Sequence, residues 1–103
     1  METIVKNWQI VSVLEGENSI GKVLWGVCIE DMSFRFIEGD YICTSKLVEI
    51  TPKEGLLKTA SGSIYKVVGR GGKASIDYRD FELLRNGFSP EQIHALKTAT
   101  QQH

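Results

Sequence analysis

Cys43, His94 and Asp40 are residue types from which a nucleophile, a base and an orienting acid can be built, and Ser45 and Ser61 offer alternative nucleophiles. A triad also needs its members within hydrogen-bond reach. The spacing does not supply that: His94 follows Ile93 on a helical stretch beyond a polar loop, and nothing local carries it to Cys43. His103 stands at the end of the sequence. The paired acids Glu30-Asp31 and Glu38/Asp40 flank turn signals, where solvation explains them without acid–base work. The reading is therefore a chain that is not an enzyme and carries no cofactor.

A second chemical pattern is Gly69-x-Gly71-Gly72-Lys73, which invites comparison with a phosphate loop. A Walker loop needs Gly where this chain has Val67, and Ser or Thr where it has Ala74. The three glycines read instead as a connector between a hairpin and a helix. Cys28 and Cys43 belong to no C-x-x-C pair and lie in apolar runs, so they are expected as buried free thiols rather than a disulfide or metal ligands.

Charge points somewhere more specific. Twelve basic and thirteen acidic residues leave a net charge of −1, which argues against a histone-like nucleic-acid binder. The charges are unevenly spread: residues 1–50 hold four bases against eight acids, and residues 53–79 hold six bases against two acids. Tyr65 and Tyr78 interleave with those bases. Lys58, Tyr65, Lys66, Arg70 and Lys73 are thus the candidate contact residues. A basic hairpin with aromatics on a small barrel suits single-stranded nucleic acid, with Tyr65 stacking on a base. The same lysines also blunt an exposed sheet edge. The acidic residues Glu30, Asp31, Glu38 and Asp40 decide between these: sharing a face with the lysines, they would prevent a positive groove.

The elements that must position these residues follow from periodicity. Trp8, Ile10, Ser12 and Leu14 share one period-2 face, and Val23, Trp25, Val27 and Ile29 share another, with Gly26 marking a bulge or a close neighbour. Phe34 and Phe36 alternate with polar residues before the Glu38-Gly39-Asp40 turn. Tyr41 to Ile50 alternates poorly, so either both faces are buried or a bulge near Ser45-Lys46 changes the parity. Leu56 to Thr59 and Ser63 to Val68 form a hairpin around Ala60-Ser61-Gly62. Asp77 caps a helix that stops at Asn86-Gly87. Ser89, Pro90 and Gln92 form a capping box, with Phe88 and Ile93 as a hydrophobic staple. Ile93, Leu96 and Ala99 or Thr100 make its apolar stripe.

The segment Leu83-Leu84-Arg85-Asn86-Gly87-Phe88-Ser89-Pro90-Glu91-Gln92-Ile93 resembles two families over its short length. One is the helix–turn–helix of DNA-binding domains; the other is the Gly-Phe-Ser turn of ubiquitin-associated helical domains. As a recognition helix it would carry Glu91, Gln92, His94 and Lys97, with one firm positive charge. By its own pattern it is a helical hairpin packed on a sheet.

Strands first and helices last give an α+β class. The expected architecture is a small, strongly bent antiparallel sheet, or a barrel of SH3-like or OB-like size, over about residues 4–69, followed by helices at about 77–86 and 90–101. One domain is expected, β-rich over 1–72 with a helical hairpin over 76–101. Trp25, Val27, Ile29, Phe34, Phe36, Ile42 and Val67 should fill its core, with Phe81, Leu84, Phe88, Ile93 and Leu96 holding the helices. The longest apolar stretch, Val23 to Ile29, is far below the roughly 20 residues of a membrane span. The N-terminal residues lack the pattern of a secretory signal, so the expected location is cytoplasmic. The functional expectation is a small non-catalytic binding module, of the bacterial or phage accessory kind, that contacts another protein. Single-stranded nucleic acid is the alternative partner, and self-association is open to either.

Overall fold

The computed structural model describes residues 2–101, with no side-chain placement for residues 100 and 101. His103 and the Thr100 side chain therefore lie outside the described residues.

Seven strands form one sheet that does not close on itself, and two short helices follow. β1 (Glu2–Glu15) and β2 (Asn18–Asp31) make a long antiparallel hairpin around Gly16, whose φ of 63° suits the turn. β3 (Tyr41–Cys43) continues along β2, β4 (Leu47–Thr51) pairs with β5 (Leu56–Thr59), and β5 pairs with β6 (Ile64–Val67). The strand order is β3-β2-β1-β6-β5-β4. β7 (Gly72–Asp77) also pairs with β1. Both β6 and β7 run parallel to β1, so the sheet is mixed rather than antiparallel as expected.

One irregularity organises this topology. Asn7 adopts φ 51°, and the β1–β2 register slips between Lys6 and Gln9. Asn tolerates the left-handed region better than most residues. The extra residue switches which face the side chains of β1 address. It also divides the strand, because Glu2–Val5 pairs with β6 whereas Gln9–Leu14 pairs with β7. Gly26 sits opposite the slip, where a Cβ would collide with the Val5 side chain.

β1 and β2 consequently carry buried side chains on both faces. Val5, Leu24, Cys28, Ile42, Leu47, Leu57 and Tyr65 form one core inside the curl of the sheet, joined by Trp8, Ile10, Phe36 and Val67. Val11, Val13, Val23, Trp25, Ile76, Leu84 and Ile93 form the second, under the helices. Among the described residues the buried Trp25 indole N–H has no hydrogen-bond partner, a desolvation cost of about 1–3 kcal/mol that the surrounding packing must outweigh.

The β-rich part extends to Asp77, five residues beyond the expected boundary. β7 was hidden because Gly72-Lys73-Ala74-Ser75 offers little apolar alternation, and its pairing to β1 is distant in sequence. Asp77 caps a single 3-10 turn (Tyr78–Asp80), accepting from the Arg79 N–H at 2.8 Å. α1 (Phe81–Arg85) follows. At its end Gly87, at φ 104°, donates to Leu84 and Phe88 donates to Leu83, the paired bonds of a Schellman stop. Tyr41 packs against Gly87 and donates its hydroxyl to the Arg85 carbonyl at 2.8 Å. α2 (Pro90–Gln101) begins on the expected capping box: the Ser89 N–H donates to Gln92 Oε1 at 2.8 Å, and the Gln92 N–H donates to Ser89 Oγ at 3.2 Å. Gln9 on β1 donates to Glu91 at 2.8 Å, tying α2 to the sheet, and Lys97 donates to Asp80 of the 3-10 turn at 2.9 Å.

Three expected core residues lie at the surface: Phe34 is 90% exposed, Leu96 44% and Phe88 37%. Phe36 is half-buried against the first core. Residues 33–37 do not form a strand. The Asp31 carboxylate takes the Ser33, Arg35 and Phe36 N–H groups, and those donors are then lost to any ladder. The parity change near Ser45-Lys46 is present: Ile42 and Thr44 point inward, and after the break Leu47 does.

Candidate functional site

Where the curled sheet fails to close, a groove of about 740 Å³ opens. Its floor is continuous with the first core, through Ile10, Leu57 and Val67. One wall is the β4–β5 turn, with Ile50 and Pro52; the other is the Gly69–Gly72 connector leading into β7. Trp8, aimed there by the Asn7 bulge, donates its indole N–H to the Gly69 carbonyl at 3.2 Å. A Cβ at Gly71 would collide with the indole ring, so this glycine is needed for close approach to Trp8, while Gly69 supplies a φ of 75°. Lys22, Lys53 and Lys73 stand round the groove against a single acid, Glu54. The arrangement is an apolar slot with a cationic rim, at the mouth of a curved sheet.

Of the five residues singled out from sequence, only Lys73 lines this groove. Arg70 is exposed on the connector. Lys58 and Lys66 point from the outer face of the sheet. There Lys58 lies between Ile64 and Glu49, and Lys66 lies in a cross-strand row with Leu56, Ile4 and Glu30. Acids therefore interrupt the lysines on that face. Tyr65 is not available to stack on a base: it is 4% exposed, and its inward parity follows from pairing with buried Leu57. Trp8, Lys22 and Lys53 are the groove residues sequence reasoning missed. The available signal was Asn7, a residue able to flip strand parity, just before an aromatic.

A second built feature lies at the other end of the sheet, on the loop between β2 and β3. Asp31 accepts five hydrogen bonds: from Thr3 Oγ1 at 2.8 Å, Ser33 N–H at 2.9 Å, Ser33 Oγ at 2.6 Å, Arg35 N–H at 2.7 Å and Phe36 N–H at 2.8 Å. Burial alone would raise its pKa. The bonds from Ser33, Thr3 and Phe36 reverse this and hold the carboxyl well below the usual carboxylate range. Asp40 similarly accepts from the Ile37 N–H at 3.0 Å. The result is a fixed display of apolar side chains: Phe34 at 90% exposure, Ile37 at 74% and Met32 at 49%. Phe34 has φ 61°, a left-handed conformation that costs a non-glycine residue about 1–2 kcal/mol. Arg35, also exposed, lies over the Phe36 and Tyr65 rings and donates to Ser33 and Ser63, and Glu30 and Glu38 are further exposed charges beside the apolar tip.

The groups considered for catalysis are apart. Cys28 is buried and Cys43 half-buried, both unpaired. Burial pushes the Cys43 thiol up to about 11 against a smaller opposing effect of Arg85. Burial, then the nearby acids Asp31 and Asp40, raises that of Cys28. No hydrogen bond joins Cys43, His94 and Asp40 among the described residues, and Ser45 and Ser61 bond each other at 3.2 Å. No group of three or more metal-ligating side chains occurs among the described residues. Buried Cys28 is expected to react with Ellman's reagent only as fast as the protein unfolds, and half-buried Cys43 to react slowly in the folded protein because burial raises its pKa. Rapid labelling of Cys43 in the folded protein would contradict that placement.

No helix among the described residues is long and apolar enough to cross a membrane. The chain matches no protein-family model, no curated protein and no solved structure.

Proposed function

We propose that the chain is a non-catalytic binding module whose groove takes an acidic segment of a protein partner. The carrying observation is the groove's composition, an apolar floor with a Trp8 wall under Lys22, Lys53 and Lys73. Such a slot suits an aromatic or aliphatic anchor flanked by carboxylates, because the anchor supplies the desolvated contact and the lysines guide approach and register. The reading treats the curled sheet as an incompletely closed barrel of SH3-like or OB-like size. It places the protein in the cytoplasm as a small accessory factor of bacterial or phage type, a setting that two unpaired thiols fit.

Single-stranded nucleic acid is the second reading, favoured by the same three lysines. Against it, Trp8 is committed to the Gly69–Gly71 backbone, and Lys58 and Lys66 share their face with Glu49 and Glu30. Titration with an acidic, phenylalanine-containing peptide and, separately, with oligo(dT), both followed by tryptophan fluorescence, separates the two. The peptide should saturate with a modest salt dependence, and Lys22→Glu with Lys73→Glu should weaken it at least about tenfold. Tight, steeply salt-dependent binding of oligo(dT) without peptide binding would reverse the assignment.

A further inference from the structure

Building on the groove as a protein-binding site, we infer that its occupant is the β2–β3 loop of a second copy of this chain. The loop has the shape and chemistry the groove lacks. Phe34 and Ile37 project at 90% and 74% exposure, held by the hydrogen bonds of Asp31 and Asp40. Phe34 is kept in the left-handed region, a strained conformation with no compensating contact for its ring inside the monomer. Strain fixed by so many bonds on an exposed aromatic marks a group presented to something outside.

Charge matches as well. The tip carries the exposed acids Glu30 and Glu38 and the half-buried acids Asp31 and Asp40 against one base, Arg35, whose guanidinium is bonded to Ser63. The groove carries Lys22, Lys53 and Lys73 against Glu54. Size permits it: benzene fills an engineered cavity of about 150 Å³, and the groove offers about 740 Å³. Val48 and Ile50, exposed at 59% and 41%, extend the apolar surface along the neighbouring crevice.

The loop does not fill the groove of its own molecule: Phe34 and Ile37 stand 90% and 74% exposed, and no residue of 31–40 lines the groove. A copy that donates its tip therefore still offers its own groove. The contact is heterologous, so it propagates as a chain or closes as a ring.

Sedimentation equilibrium of the full chain over a micromolar-to-millimolar series tests this. The weight-average mass should rise with concentration past that of a dimer. Phe34→Ala, at a position too exposed to affect folding, should shift association at least about tenfold toward monomer, as should Lys53→Glu with Lys73→Glu. Mixing those two variants should restore association that stops at a pair, since one keeps only its groove and the other only its tip. A monomer at every concentration, or a dimer indifferent to Phe34, overturns the inference. If the acidic peptide still saturates the groove of that monomer, the binding-module reading stands and only the second-copy occupant fails. If neither binds, both fall.

Discussion

Leu24→Ala is expected to destabilise the protein by about 3–5 kcal/mol, at the upper part of the usual range for such truncations. Leu24 is fully buried in the first core, on the strand that is buried on both faces. Its backbone is clamped: the Leu24 N–H donates to Thr44 Oγ1 at 2.9 Å, and the Thr44 N–H donates to the Leu24 carbonyl at 3.0 Å. The strand cannot settle inward to fill the space left by the missing side chain, so most of the cavity persists. For a domain of this length the midpoint of thermal unfolding should fall on the order of 20 °C. Val48→Ala, at 59% exposure on β4, is the control and should stay within about 0.5 kcal/mol of the parent. A Leu24→Ala loss below about 1.5 kcal/mol would show that the core inside the curl is not packed as described.

Asp31→Ala should cost about 2–4 kcal/mol, because it orphans five donors, including the hydroxyl of fully buried Thr3. Asp31→Asn isolates the charge. A carboxyl held below its unfolded value of about 3.9 stabilises the fold at every pH above that value, and the contribution is lost as pH falls toward the folded-state pKa. The stability difference between the parent and Asp31→Asn should therefore be constant above about pH 5 and shrink steadily below about pH 4. A difference independent of pH down to pH 2 would mean that the carboxylate is not specifically bonded. Since the same bonds hold Phe34 at positive φ, both variants should also release the tip.

Local chemistry made the helical end of the chain legible. The Ser89–Gln92 capping box and the Asn86-Gly87 stop each depend on residues within a few positions of one another and occur where the sequence places them, whereas Asp77 caps a 3-10 turn and the α-helix starts only at Phe81. The 59–63 hairpin turn, with Gly62 at φ 90°, is of the same kind. The parts that failed depend on partners far away in sequence. β7 exists because β1 offers a parallel edge, which Lys73-Ala74-Ser75 does not announce. Phe34 reads as core by type and periodicity, yet Asp31 captures the backbone donors around it and turns it outward. The candidate site suffered most. Its basic set was chosen by proximity along the chain, and the sheet sends Lys58 and Lys66 to one face, Tyr65 to the interior and Lys73 to the groove. The cations that accompany Lys73 come from β2 and the β4–β5 turn, which only the curl of the sheet brings together.

The groove is tested most directly by amide and indole chemical shifts, with a peptide of residues 30–40 titrated into the labelled Phe34→Ala protein. Saturable changes are expected at the Trp8 indole N–H, the amides of Gly69, Gly71 and Gly72, and Lys22, Lys53 and Lys73, with the helical residues 81–101 unmoved. Changes centred on the helices or on the outer face around Lys58 and Lys66 would contradict the assignment of the groove as the binding site, and none at millimolar peptide would contradict the β2–β3 loop as its occupant.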